Sequence, residues 1–272
     1  MTGESSNGEE LLRRLNTAVA HPARIYDVWL GGKDNYPADR AAAAAGLEAF
    51  PSTISSVRAN RAFLARAVEY LAAEEGIRQF LDIGTGLPSA NNTHEVAQKT
   101  AVESRVVYVD NDPVVMLHAQ ALLTSSAPSV TNYIEADLRD PGTILAEAAR
   151  TLDFTQPIAV MLLAIVQFVS DDDHPYEIVN SLMDAVPPGS FLVVSHVASD
   201  IFPEELAAFA RAYNERSSEK ITPRNREEVA RFFTGLDLVE PGIVQVSKWR
   251  PRSELEASAT DTLWSGVARK PA

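Results

Sequence analysis

Cysteine is absent from the 272 residues. That excludes disulfide staples, a thiolate zinc site, an iron–sulfur cluster and a cysteine nucleophile. Long apolar runs are missing too. The longest, Ile158 to Val166, is nine residues, against the roughly 18–20 that a membrane-spanning helix needs; it suits a strand buried on both faces. Positive charge is scarce: 24 Lys plus Arg stand against 37 Asp plus Glu, a net charge of −13. Such a surface repels phosphate backbones and anionic bilayers, so neither nucleic acid nor a membrane is expected as a partner. The first ten residues, MTGESSNGEE, hold no basic stretch leading into an apolar one. No signal peptide is therefore expected, and the expected location is cytoplasmic. The five histidines show no paired or HExxH spacing, so no metal is expected; there is also no Walker loop and no G-x-S-x-G elbow. Oligomeric state, monomer or homodimer, stays open.

What is present is a change of period near Gly76. Before it the pattern is helical, and residues 1–76 are expected to form an N-terminal helical cap or lid. Leu11–Ala20 could make a short helix. A second through Ile25–Leu30 would stop at Gly31-Gly32. Asp39 could cap a third through the Ala41–Ala45 run, and Ser52 or Thr53 a fourth reaching Gly76. After Gly76, apolar strands at 79–83, 105–110, 131–135, 158–166 and 190–195 alternate with helical stretches. Beta segments at 236–240, 244–249 and 262–268 follow. Regular alternation predicts an α/β fold with a doubly wound, mostly parallel sheet, residues 77–272 forming one Rossmann-like unit.

In such sheets ligands bind at the carboxyl ends of the strands. The first strand runs into Asp82-Ile-Gly84-Thr-Gly86, where glycines allow a tight turn and close backbone approach. The third glycine of a dinucleotide fingerprint is replaced by Ser89, which argues against an NAD-dependent oxidoreductase. The second strand ends at Asp110, where a carboxylate can take the two hydroxyls of a ribose; Asp112 is better placed to cap the helix at Pro113. The third ends at Ala136-Asp137, where an acid can accept from an exocyclic amine such as that of adenine. Glycine turn, acid and acid, in that order, are more specific than any one of them.

The series LDIGTG, VYVDND, EADLRD resembles the motifs of class I S-adenosylmethionine-dependent methyltransferases. ARIYDVWLGGKDNYPADR resembles something narrower, the signature of an actinobacterial methyltransferase-like family formerly classed as a domain of unknown function. GLPSANNTHEVAQ, VVYVDNDPVV, PPGSFLVVSH and LVEPGIV match its other blocks, so the resemblance runs from about residue 17 to 269. It implies the methyltransferase fold and S-adenosylmethionine as cofactor, but supplies no methyl acceptor. It further implies that the backbone of Gly84 and Gly86 packs against the amino-acid part of the cofactor and that Asp82 holds its ammonium. Asp110 would take the ribose, Asn111 would flank the adenine, and Asp137 with the Leu138 N–H would meet the adenine edge. Leu163 to Gln167, including Ala164, would lie beside the reacting methyl group.

Segment 24–39 combines charge, aromatics and a Gly-Gly turn. One reading is a static helical cap held by its aromatics. The other is a lid that excludes water, with Arg24 reaching the cofactor carboxylate and Gly31-Gly32 letting the backbone close in. Tyr26, Asp34 and His196 are the candidates for a catalytic base, although a strand-end histidine is as often structural. The expected function is methyl transfer to a small molecule, apolar or aromatic. Its pocket would lie between segment 24–36 and the ends of the fourth and fifth strands, near Gln167 and His196. The rival is a non-catalytic S-adenosylmethionine-binding sensor or partner module.

Overall fold

The computed structural model describes residues 15–123 and 131–272. Residues 11–14 of the expected helix at Leu11–Ala20 lie outside them, and the described remainder from residue 16 on is no helix: residues 17–19 form a turn and bend and Ala20 an isolated bridge. Three helices then precede the sheet: α1 (Pro22–Leu30), α2 (Pro37–Ala49) and α3 (Thr53–Ala73). The alternating part follows as β1 (Gln79–Ile83), α4 (Thr93–Thr100), β2 (Arg105–Asp110), α5 (Pro113–Leu123), β3 (Thr131–Glu135), α6 (Pro141–Ala148), β4 (Ala159–Leu163), α7 (Pro175–Ala185) and β5 (Phe191–Val197). The C-terminal part holds α8 (Pro203–Asn214), α9 (Arg226–Ala230), β6 (Asp237–Leu238), β7 (Val244–Gln245), α10 (Glu254–Ala257) and β8 (Leu263–Arg269).

The strands form one eight-stranded sheet in the order β3-β2-β1-β4-β5-β8-β6, with β7 also on β8. β1 to β5 are parallel, while β8 returns antiparallel to β5. The chain moves outward through β1, β2 and β3, then crosses back to lay β4 against the other side of β1. That reversal opens a crevice at the carboxyl ends of β1 and β4. One face of the sheet is covered by α6, α7 and α9, the other by α3, α4 and the segment around Trp249. Arg66 of α3 fixes that segment, donating from Nε to the Trp249 carbonyl at 2.9 Å and facing Glu256 at 3.1 Å.

A third apolar cluster joins α1 and α2 to α8 over the crevice. The alanine-rich face of α2 allows this close approach. A Cβ on Gly46 would stand 3.0 Å from Phe209 and 3.1 Å from Trp29. Trp29 completes the joint by donating its indole N–H to the Ala43 carbonyl at 3.2 Å. α3 belongs to both layers: Val57 at its start joins the cap cluster, whereas Phe63 to Ala72 pack on the sheet. Asp39 caps the start of α2 from N3 and not from the N-cap position, which Tyr36 holds. The Asp39 carboxylate accepts from the N–H of Tyr36 at 2.8 Å and of His21 at 3.0 Å.

The apolar run at 158–166 ends as a strand at Leu163. Ala164 takes φ +53°, a left-handed conformation uncommon for alanine. Its N–H is held by the Ser195 carbonyl at 2.9 Å and the Ser195 Oγ at 3.0 Å, which turns the chain off the sheet into a short 3-10 turn, Val166–Phe168. Among the described residues no helix is long and apolar enough to cross a membrane.

Candidate active site

A cavity lies between the carboxyl ends of β1, β2 and β4 and the cap. Its floor is the turn after β1. Gly84 takes φ +76° and Gly86 φ +66°. The Gly84 N–H bonds the Val109 carbonyl at 2.8 Å, which curls the turn over the end of β2. Asp82 and Asp110 face this floor from the ends of their strands. Asp82 accepts from the Thr93 hydroxyl at 2.6 Å. Burial lifts its carboxyl to about 6, against the Thr93 hydrogen bond and the Arg61 charge. Asp110 accepts from the N–H of Gly86 at 2.8 Å and of Asp112 at 2.9 Å. Burial still pushes its pKa up, these two bonds opposing the shift. Each Asp110 oxygen keeps acceptor capacity beyond its one backbone bond.

Asn111, Asp137, Leu138 and Arg139 form the wall beyond β2 and β3. Asn111 donates to Asp137 at 3.3 Å. Arg139 holds Asp137 at 3.0 Å, Glu219 at 3.1 Å and the Phe168 carbonyl at 2.7 Å, so it ties the loops after β3, β4 and α8 together. The far end of the cavity is aromatic. Trp29, Phe168, Phe209 and Tyr213 all line it, with neighbouring ring centroids 5.9 to 6.3 Å apart.

Of the candidate residues, Tyr26, Asp82, Gly84, Gly86, Asp110, Asn111, Asp137, Leu138 and Ala164 all border this one cavity. Arg24, Gly31, Gly32, Asp34 and His196 do not. Arg24 is sealed in the cap, its Nε 3.1 Å from Asp112 and 3.8 Å from Asp39, so it cannot reach a ligand carboxylate. Gly31, at φ +80°, ends α1, as the sequence suggested. Gly32 makes room for a neighbour: a Cβ there would stand 1.9 Å from Asp27 Oδ1. Asp27 in turn ties down the turn by accepting from the Asp34 N–H and the Asn35 amide. The two glycines thus shape the turn and do not approach the cavity. Asp34 is part-exposed and faces His118 at 4.0 Å.

His196 is fully buried. Its Nε2 accepts from Arg224 at 2.9 Å, and its Nδ1 donates to the Val197 carbonyl at 2.9 Å. Burial, with the Arg224 charge, lowers its pKa to about 3, so it stays neutral with both nitrogens occupied and is no base. Tyr26 does reach the cavity. Its hydroxyl donates to the Val57 carbonyl at 3.2 Å and accepts from Asn60 at 3.1 Å. Asn60 accepts from Ser195 at 2.6 Å, and Ser195 accepts from the Ala164 N–H. A hydrogen-bonded chain therefore runs from the cap through α3 to the backbone beside β4. Burial raises the Tyr26 pKa, so this phenol acts as a fixed post and not as a base.

The cap is latched to the end of β2. His21 Nδ1 lies 3.1 Å from Asp112 Oδ2, the same oxygen that faces Arg24. Burial opposes a charge on His21, but Asp112 outweighs it and the pKa is raised. Its contribution is complete below about 6.5, the ordinary histidine value, and fades as pH rises through the raised value. Backbone protection of 22–30 should therefore fall across that rise, after correction for intrinsic exchange. His21→Gln should flatten the dependence; an unchanged slope in that variant would refute the latch.

The strand order, with its reversal between β3 and β4 and the glycine turn beneath one cavity, is the fold found in methyltransferases. An O-methyltransferase family protein of Burkholderia thailandensis shares the fold alone, at 13% identity and TM-score 0.51 over 76% of this chain and 55% of that one. The chain belongs to the S-adenosyl methyltransferase family, whose model matches residues 8–271. A DUF574 family protein from Streptomyces avermitilis is 47% identical, with TM-score 0.90, covering 94% of this chain and 100% of that one. A presumed methyltransferase from Thermobifida fusca is 39% identical, with TM-score 0.88, covering 95% and 97%. Among curated proteins none matches.

Three features of the site lay outside the sequence expectations. Asn60 and Arg61 come from α3, ahead of the first strand, and carry no motif. Arg139 stands in the EADLRD block but reads as a solvated loop residue. Phe209 and Tyr213 are spaced i,i+4 on α8, a pattern that signals burial and not a ligand wall.

Proposed function

We propose that this S-adenosylmethionine-dependent methyltransferase acts on a small apolar or aromatic molecule held under the cap. The observation that carries this is the continuity of the cavity, from the glycine turn to the aromatic wall. The residues suit the cofactor. The space a Cβ would fill at Gly86 is open, with no atom within 4 Å, so the turn forms a cradle. Gly84 and Gly86 would hold the amino-acid part, with Asp82 at its ammonium. Asp110 would take the ribose hydroxyls, and Asn111, Asp137 and Leu138 the adenine. The cofactor supplies an electrophilic methyl group. The chain's part is to align an acceptor against it and exclude water. Tyr26 and Ala164 are fixed beside the reacting end by the Asn60–Ser195 chain, and the rings of Trp29 and Phe168 give an acceptor a dry face.

A sensor module would need no second compartment, so the aromatic end favours the enzyme. The test uses cofactor carrying tritium in its methyl group, incubated with a cell metabolite extract. Label should enter a small-molecule, organic-extractable fraction. Trp29→Ala and Phe168→Ala should lose that transfer while keeping affinity for S-adenosylhomocysteine. Label found only in macromolecules, or no transfer across diverse extracts, would overturn the reading. On the cofactor side, Asp110→Ala should weaken S-adenosylhomocysteine binding by about 1.5–3 kcal/mol by calorimetry, since hydrogen bonds to a charged acceptor are the stronger kind.

A further inference from the structure

With Arg24 locked to Asp112 and Asp39, the carboxylate of the cofactor's amino-acid end lacks its expected partner. Two other arginines line the cavity, Arg61 and Arg139. Arg139 is committed, since its guanidinium already meets Asp137, Asp173, Glu219 and the Phe168 carbonyl. Arg61 is not. It lies on α3, half-buried, and only its Nη2 is engaged: it donates to the Ala90 carbonyl at 3.0 Å, the Asn91 carbonyl at 3.2 Å and Asn92 Oδ1 at 3.5 Å. Those contacts hold the guanidinium against the loop that follows the glycine turn. Among the described residues no carboxylate lies within ion-pair distance of Arg61, and its Nε and Nη1 make no hydrogen bond. A half-buried guanidinium without an acid, in a chain of net charge −13, is an unused anion site. It is near enough to Asp82 to pull that carboxyl's pKa down against burial.

We propose that Arg61 binds the carboxylate of the cofactor's amino-acid end, opposite Asp82 at its ammonium, so that α3 and β1 together recognise a zwitterion. This rests on the reading of the glycine turn as the cradle of that amino-acid end. Arg61 binds through the Nη1 N–H groups that the loop at 90–92 leaves free, giving the carboxylate a charge-assisted hydrogen bond. Its role is selection of the intact cofactor over nucleosides that share the adenine, ribose and sulfur.

The test compares two ligands by calorimetry on the full chain. S-adenosylhomocysteine carries the amino acid; 5′-methylthioadenosine has the same nucleoside and sulfur without it. Arg61→Met should weaken S-adenosylhomocysteine by about 10- to 100-fold, the range of a charge-assisted hydrogen-bonded pair. Affinity for methylthioadenosine should stay within about twofold. Arg61→Lys keeps the charge and a terminal donor but not the guanidinium's hold on the loop at 90–92, and should recover part of the loss. Equal weakening of both ligands would mean that Arg61 merely props the loop at 90–92, and overturns the proposal, as does an unchanged preference in both variants. Failure of the unmodified chain to bind either ligand would instead overturn the cofactor assignment on which the proposal stands.

Discussion

Gly84→Ala should destabilise the protein by about 2–5 kcal/mol and abolish measurable binding of S-adenosylhomocysteine. Two independent effects add. The residue sits at φ +76°, which an L side chain adopts at a cost of about 1–2 kcal/mol. Its new Cβ would also stand 2.4 Å from Ile165 Cγ1 and 2.6 Å from Ile165 Cβ, too close for any real contact. Ile165 has little freedom to retreat, because Ala164 beside it is held to Ser195. Overpacking of this kind costs typically about 1–3 kcal/mol. At roughly 2–4 °C per kcal/mol for a chain of this size, calorimetry should show the melting temperature down by about 4–20 °C. The control is Gly86→Ala. There the backbone strain is similar, at φ +66°, but the Cβ meets open space. That variant should lose only about 1–2 kcal/mol of stability yet bind cofactor poorly, because the methyl group projects into the cradle. Equal stability losses at the two glycines would show that the Ile165 contact decides nothing.

The contrast between these glycines marks how far the sequence can be read. Both were legible as a turn, because they follow an apolar strand and precede a helix. That one is needed for packing and the other for space depends on Ile165, a residue brought there by β4. The same boundary runs through the whole site. The edges of β1, β2 and β3 fall where the apolar runs meet polar turns, so Asp82 and Asp110 at strand ends and Asp137 just past one were legible as residues of the crevice, which all three line. Arg24 and His196 were misread because what they do is set by Asp112 and Arg224, residues distant in sequence that only the fold supplies. His196 lies near the end of β5, a strand buried on both faces, where Arg224 meets its Nε2 at 2.9 Å. Arg61 and Asn60 escaped notice for another reason. On α3 they read as polar positions of an amphipathic helix, and nothing in their spacing says that this helix lies along a ligand. The early end of β4 was hidden inside a run that stays apolar to Val166, since apolar residues serve the wall of a cavity as well as the middle of a sheet.

Asp112 is where the cap and the sheet depend on each other most. Its Oδ1 accepts from the Val114 N–H at 3.0 Å and so caps α5, the role its place before Pro113 suggested. Its Oδ2 lies 3.1 Å from both His21 Nδ1 and Arg24 Nε. The Arg24 contact is ionic, without the alignment of a hydrogen bond. Both partners of this pair are buried, with side chains 4% and 1% exposed. Burial alone would raise the Asp112 pKa, but the hydrogen bond and charge of His21, the Val114 N–H and Arg24 bring it below the usual carboxylate range. Asp112 therefore stabilises the fold above about pH 4, and the contribution is lost as acidification passes through its lowered value. Asp112→Asn keeps an oxygen for the cap and removes the charge. Arg24 is then left buried with Asp39, at 3.8 Å, as its nearest acid, and that carboxylate already serves the N–H groups of His21 and Tyr36. Removing one member of a buried pair costs about 3–5 kcal/mol, because the other charge stays behind uncompensated. Thermal melting should show a loss of that size, with increased exchange over 21–36. Asp112→Ala should lose about a further 1 kcal/mol with the cap. The decisive comparison adds Arg24→Met, an apolar chain of similar length, to Asp112→Asn. If the cost is the stranded cation, the double variant should be more stable than Asp112→Asn alone by well over 1 kcal/mol, the sign of a coupled pair. Strictly additive losses would mean that the two residues act separately and that the cap is held by its apolar contacts with α8, chiefly Trp29 on Phe209 and Tyr213.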